Sequence, residues 1–133
     1  MPIDHGPFRH RKPVHFLGDS KEAISGFPLD VKEVIGYAIH EAQLGDKSPI
    51  AKPMKGFDGS SVIEICDDYD GDTYRAMYTA KLAGVVYVLH AFQKKSKKGI
   101  QTPKPDIDLI KQRLKAAKTH HEEHYDTERK SKK

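Results

Sequence analysis

The run Ser61-Val-Ile-Glu-Ile-Cys66, the pair Asp70-Gly71, the run Thr73-Tyr-Arg-Ala-Met-Tyr-Thr-Ala-Lys81 and the run Val85-Val-Tyr-Val-Leu-His-Ala-Phe-Gln93 decide the fold. β-Branched and aromatic residues are frequent in all three runs, the preference of a pleated, half-buried surface. Asp-Gly suits a two-residue hairpin turn, because both central residues must take positive φ. Ala83-Gly84 turns the chain again before the third run. Three consecutive strands joined by short turns form an antiparallel meander.

Upstream, residues 13–17 (Pro-Val-His-Phe-Leu) read as a short strand ended by Gly18. Asp19 with Glu22 three positions on is a capping-box pattern and predicts a short helix over 20–25. Gly26-Phe27-Pro28 breaks it. Asp30 with Glu33 repeats the pattern ahead of a helix over 30–44, where Val31, Val34, Ile35, Ala38, Ile39 and Ala42 recur with helical period before Gly45. Residues 45–60, with prolines and glycines among lysines and serines, read as a loop. Downstream, Lys94 to Lys104 reads as a basic loop and Asp106 as the N-cap of a last helix. Its Ile107, Ile110, Leu114 and Ala117 form one stripe, and Lys111, Lys115 and Lys118 line another face. The expected architecture is α+β. A single domain spans 13–125 between a flexible N-terminus, 1–12, and a disordered basic tail, 126–133.

Composition narrows the class. A chain of 133 residues with 37% hydrophobic content buries a core of its own without metal or disulfide staples. Cys66 is the single cysteine, so no intramolecular disulfide framework exists and a reducing cytoplasm is the expected setting. Residues 1–15 lack the apolar centre of a signal peptide, and the longest apolar run, 83–89, is far too short for a membrane span. The net charge of +4 is unevenly spread. Residues 1–92 carry 10 basic and 13 acidic groups, whereas residues 93–133 carry 13 basic and 6 acidic. The C-terminal third therefore suits a polyanion or an acidic protein.

Two metal-like patterns fail on spacing. His120 and His124 stand one helical turn apart, but His121 occupies the position after the first histidine where a zinc protease needs Glu. The acidic run 67–72 misplaces both the Gly and the closing Glu of a calcium loop. No metal and no cofactor is expected. Cys66, alternating within a strand, reads as a small strand residue, and Ser60 and Ser61 lack a nucleophile-elbow context. The informative constellation lies in the meander. Arg75 shares a strand face with Met77 and Thr79, which puts a guanidinium on the sheet itself. Strict alternation gives Val86, Val88, His90, Phe92 and Lys94 a common face on the last strand, and Lys95, Lys97 and Lys98 extend the charge. A sheet bearing Arg, His, Lys and an aromatic suits a phosphate backbone with a base to stack.

The motifs Tyr74-Arg75, Leu89-His90-Ala91-Phe92-Gln93-Lys94-Lys95, Thr102-Pro103 and Arg113-Leu114 resemble the HigB-like, phage-associated branch of the RelE/ParE toxin superfamily. The resemblance covers roughly residues 13–118. It implies a RelE-like curved antiparallel sheet, the N-terminal strand plus the meander, packed by two N-terminal helices and a C-terminal helix. It also implies the toxin half of a toxin–antitoxin pair, an endoribonuclease cutting mRNA on the ribosome, with a helix-turn-helix antitoxin as partner and no membrane. Ala91 stands where the family commonly has Gly.

Metal-independent RNA cleavage needs help in deprotonating the 2′-OH, stabilising charge at phosphorus and protonating the 5′ oxygen. His90 is the candidate acid or base, and Arg75 and Lys94 the groups that stabilise the phosphorane. Phe92 would stack a base, and Lys55, Lys95, Lys97 and Lys98 would meet flanking phosphates. Arg113 is either a further RNA contact or a bracket holding the last helix to the sheet. Two other readings fit the same residues: a gyrase-poisoning toxin of the superfamily that needs no His90, and a non-enzymatic binding module whose basic loop docks nucleic acid or protein.

Overall fold

The computed structural model describes residues 11–59, 61–95 and 101–126; most of the expected flexible N-terminus and basic tail lies outside them. The element order is β1 (Val14–Phe16), α1 (Ser20–Ser25), α2 (Leu29–Gln43), β2 (Ala51–Pro53), β3 (Ile63–Tyr69), β4 (Asp72–Thr79), β5 (Val86–Lys94) and α3 (Lys104–His121), closed by a π-helical turn, Glu122–Asp126. The strands make one sheet in the order β1-β5-β4-β3-β2. The fold is α+β and broadly RelE-like, with a meander at its centre. Asp70 and Gly71 both take positive φ, 52° and 88°, so the β3–β4 hairpin has the turn its dipeptide demands.

Two features of the sheet differ from the sequence expectation. β1 lies parallel to β5, with Val14 opposite Val86 and Phe16 opposite Val88, so the sheet is mixed. Hairpins force β2 to β5 to alternate, whereas β1 is separated from the rest by two helices and is free to run either way. A further strand, β2, arises inside the segment read as a loop and pairs antiparallel with β3, Ala51 opposite Ile65. It is only three residues long and contains Pro53, a residue confined to sheet edges. The helices also begin earlier than their acidic residues suggest. α2 starts after Pro28 and α3 after Pro103, leaving Asp30 and Asp106 in the first turns.

The sheet carries a core on each face. Val31, Ile35, Ala38 and Ala42 of α2 pack on Ile65, Ala76, Tyr78, Val86 and Val88. On the opposite face Ile110 and Ala117 of α3 pack on Met77, Tyr87 and Leu89, with Ile107 and Leu114 at the margin. Ile35, Ile65, Met77 and Leu89 are fully buried, each contributing roughly 1.5–3 kcal/mol over an exposed position.

Two glycines separate backbone constraint from local flexibility. Gly18 has φ +55°, and an added Cβ would overlap the Arg113 guanidinium. Gly36 lies exposed in the middle of α2 with nothing near the place of a Cβ. Gly18→Ala is expected to lower unfolding free energy by about 1–2 kcal/mol from the backbone alone. Gly36→Ala should raise it by about 0.5–1 kcal/mol. Urea melts of both variants check the pair.

Candidate functional site

The α3 side of the sheet becomes polar toward the end of β5, and a β-bulge causes it. Met77 pairs with His90 but Tyr78 pairs with Val88, so Leu89 is an extra residue in β5. Strict alternation therefore fails at this point. Val86 and Val88 face α2, whereas His90, opposite Met77 and with its ring tilted against Phe92 at 5.4 Å between centroids, belongs to the α3 side. The single face that the sequence assigned to Val86, Val88, His90, Phe92 and Lys94 is thus divided between the two layers.

Arg75 is only 4% exposed. Its Nη1 donates to Glu64 Oε2 at 3.0 Å and to Thr102 Oγ1 at 3.1 Å. Its Nε is buried and has no hydrogen-bond partner among the described residues. An unsatisfied buried donor costs about 1–3 kcal/mol, which an anionic acceptor would remove. Arg75 and Glu64 lie in an open cleft of about 490 Å³. Lys52, Pro53, Met54 and Lys55 form its β2 wall, and Gln101, Thr102 and Ile107 its α3 wall. Three cationic side chains thus meet one carboxylate over an apolar strip.

His90, 6% exposed, lies beside this cleft without lining it. Its Nε2 is 2.7 Å from Asp106 Oδ1, and its Nδ1 is 3.4 Å from Arg113 Nη1. Both contacts are satisfied when Nε2–H donates to the carboxylate and Nδ1 accepts from the guanidinium. Arg113 Nη1 also donates to the Leu89 carbonyl at 3.0 Å, and Nη2 to Asp19 Oδ1 at 3.1 Å. One guanidinium therefore ties α3 to the bulge of β5 and to the start of α1. The arginine's hydrogen bond and charge hold the Asp19 carboxyl below its ordinary value of 3.8. This contact also takes Asp19 away from its expected capping role, since α1 has no side-chain cap.

The remaining sequence candidates are dispersed. Lys94 Nζ donates to the Gln101 carbonyl at 3.4 Å, at the edge of the cleft. Lys55 lines the cleft, Phe92 is half-buried against His90, and Lys95 is exposed. Lys97 and Lys98 lie outside the described residues. Burial pushes the Cys66 thiol up, in keeping with a strand residue rather than a nucleophile. No group of three or more metal-ligating side chains forms among the described residues. Sequence reasoning gave no site role to Lys52 or Glu64, and noted Thr102 only within the Thr102-Pro103 motif. β2 was hidden in a proline- and glycine-containing segment; Glu64, however, was legible as the one acidic residue in Ser61–Cys66.

Residues 22–115 match the family of phage-derived Gp49-like proteins (DUF891). The chain belongs to this family. Gp49-like proteins fall in the RelE/HigB toxin-like group, and the fold is compatible with a toxin module. The matched span of the Gp49-like chain includes Glu64, Arg75, His90, Asp106 and Arg113 and stops before His120. No curated protein matches the chain. No helix among the described residues is long and apolar enough to cross a membrane.

The Arg113 bracket generates a pH test. Because the folded-state pKa of Asp19 is lowered, its stabilising effect is present above 3.8 and is lost as pH falls through the lower folded value. Wild-type stability should therefore fall more steeply than that of Asp19→Asn between about pH 4 and pH 2. At neutral pH Arg113→Ala, which leaves the Leu89 carbonyl without this donor, should cost about 1–3 kcal/mol. Thermal melts across the pH series measure both effects.

Proposed function

We propose that this Gp49-like chain is the HigB-like toxin of a toxin–antitoxin pair and that its cleft cleaves RNA. The buried Arg75 with an unpartnered Nε, between Lys52, Lys55 and Glu64, carries this reading. A phosphodiester would give Arg75 its missing acceptor, and the lysines would meet the flanking charge. In this reading Glu64, beside Arg75 in the cleft, takes the proton of the 2′-OH. The freed oxygen attacks phosphorus, Arg75 and Lys94 offset the added charge, and the 5′ oxygen leaves with a proton from a cleft lysine. The products are a 2′,3′-cyclic phosphate and a 5′-hydroxyl.

His90 takes a different part from the acid or base suggested by its residue type. With Asp106 and Arg113 on its ring nitrogens, it acts as a positioning residue that holds the first turn of α3, and with it Thr102, beside Arg75. Phe92, Lys95, Lys97, Lys98 and Arg113 stay outside the chemical step; the lysines meet RNA beyond the scissile phosphate. In this reading the RNA is mRNA on the ribosome. An acidic segment of the antitoxin would restrain the toxin by covering the same cations.

Induced expression with mapping of mRNA 5′ ends tests the proposal. Growth arrest with new cleavage sites inside translated frames is expected. Glu64→Gln keeps an acceptor for Arg75 but removes the base, so cleavage should fall about 10²–10⁴-fold with little change in melting temperature. Arg75→Ala should abolish it. His90→Gln, which can still donate to Asp106 and accept from Arg113, should retain far more activity than His90→Ala. Arrest without cleavage, or wild-type cleavage in Glu64→Gln and Arg75→Ala, would contradict the assignment; the former would favour a gyrase target.

A further inference from the structure

At the far end of α3 from the cleft, histidine and tyrosine rings from three parts of the chain meet. His15 of β1 stacks on Tyr87 of β5 at 5.4 Å and lies 4.7 Å from the ring of His120. His124 stacks on His120 at 4.1 Å, and Tyr125 stacks on His121 at 5.2 Å. Specific hydrogen bonds hold the π-helical turn here. Tyr125 Oη is 2.9 Å from His15 Nε2, His121 Nε2 donates to the Ala83 carbonyl at 2.8 Å, and His124 Nδ1 donates to the His120 carbonyl at 3.0 Å. The hydroxyl of Tyr87, which is fully buried, lies 2.7 Å from His120 Nδ1 and donates to it when the neutral ring carries its proton on Nε2.

We propose that this cluster is a proton-released latch, in which the neutral ring of His120 docks the π-helical turn onto β1 and β5 and its protonation frees it. The geometry gives the reason. Protonation at Nδ1 of His120 replaces an acceptor by a donor facing the Tyr87 hydroxyl, which must then turn its own proton elsewhere within a buried site. The same proton places a cation against the rings of His15 and His124, 4.7 and 4.1 Å away, within a partly desolvated cluster. The groups facing His120 are His15 from β1, Tyr87 from β5, and His121, Glu123, His124 and Tyr125 from its own end of the chain. Only Glu123 among them favours the charged form.

Burial, then the neighbouring histidines, hold His120 below its ordinary value of 6.5, while burial first pushes the Tyr87 hydroxyl up to about 12. Tyr87 therefore stays protonated throughout. The docked state prefers the neutral ring of His120, so docking is complete above 6.5 and is lost as pH falls through the lower docked value. The latch stands independently of the RNA-cleaving reading, because none of its residues lines the cleft.

Hydrogen exchange on the full chain, corrected for the intrinsic pH dependence of exchange, tests the latch. Amides of residues 119–126 should lose about tenfold in protection between about pH 7.5 and pH 5, the yield of one or two lost hydrogen bonds, while β3 and β4 keep theirs. Tyr125→Phe, which removes only the bond to His15, should lower protection already at the higher pH. His120→Asn offers Tyr87 an acceptor that does not titrate, and its protection should vary less with pH than that of the wild type. Constant wild-type protection down to pH 5 would overturn the proposal. So would a loss shared equally by β3 and β4, or an unaltered pH dependence in a folded His120→Asn variant.

Discussion

One extra residue in β5 sets the chemistry of the molecule. The bulge at Leu89 turns His90 toward α3 after Val86 and Val88 have faced α2, so a strand that begins as two-sided core ends with a polar face. Without it, alternation would place His90 among the apolar side chains under α2, with no carboxylate or guanidinium to meet its nitrogens. With it, His90 meets Asp106 and Arg113, and α3 is held in register on the sheet.

Arg113 makes that arrangement cooperative. It joins the bulge carbonyl, the histidine and Asp19, so the start of α1, the kink of β5 and the middle of α3 share one side chain. Gly18 is part of the same constraint, because its positive φ and missing Cβ make room for the guanidinium. Arg75 stands at the edge of this frame. Glu64 and Thr102 each occupy its Nη1, and its Nε is left for something else.

Much of the fold was legible because its signals were local. The Asp70-Gly71 turn, the helical period of Val31 to Ala42 and the stripe Ile107 to Ala117 each reflect interactions within a short window of chain. The missed features depend on distant partners. β2 exists because Ile63 and Ile65 offer it a ladder, and its own residues, with Pro53, argue against a strand. The bulge leaves no mark in a run of β-forming residues, so the face of His90 was misassigned while Arg75, on an unbroken strand, was placed correctly. Asp19, Asp30 and Asp106 looked like helix caps, and two of them instead pair with Arg113 and His90. Arg75 was visible as a charge on a sheet; its pairing with Glu64 required the register of β3.

In the proposed reading the buried, unpartnered Nε of Arg75 takes a phosphodiester as its acceptor when RNA enters the cleft. Nitrogen-edited NMR of arginine side chains reads that donor directly, with a 2′-deoxy dinucleotide monophosphate as an uncleavable probe. On titration the Arg75 Nε–H resonance is predicted to move downfield and exchange more slowly with solvent, as a newly accepted hydrogen bond requires, while that of Arg113 stays in place. An unmoved Arg75 signal at ligand concentrations that saturate binding elsewhere on the protein would contradict it.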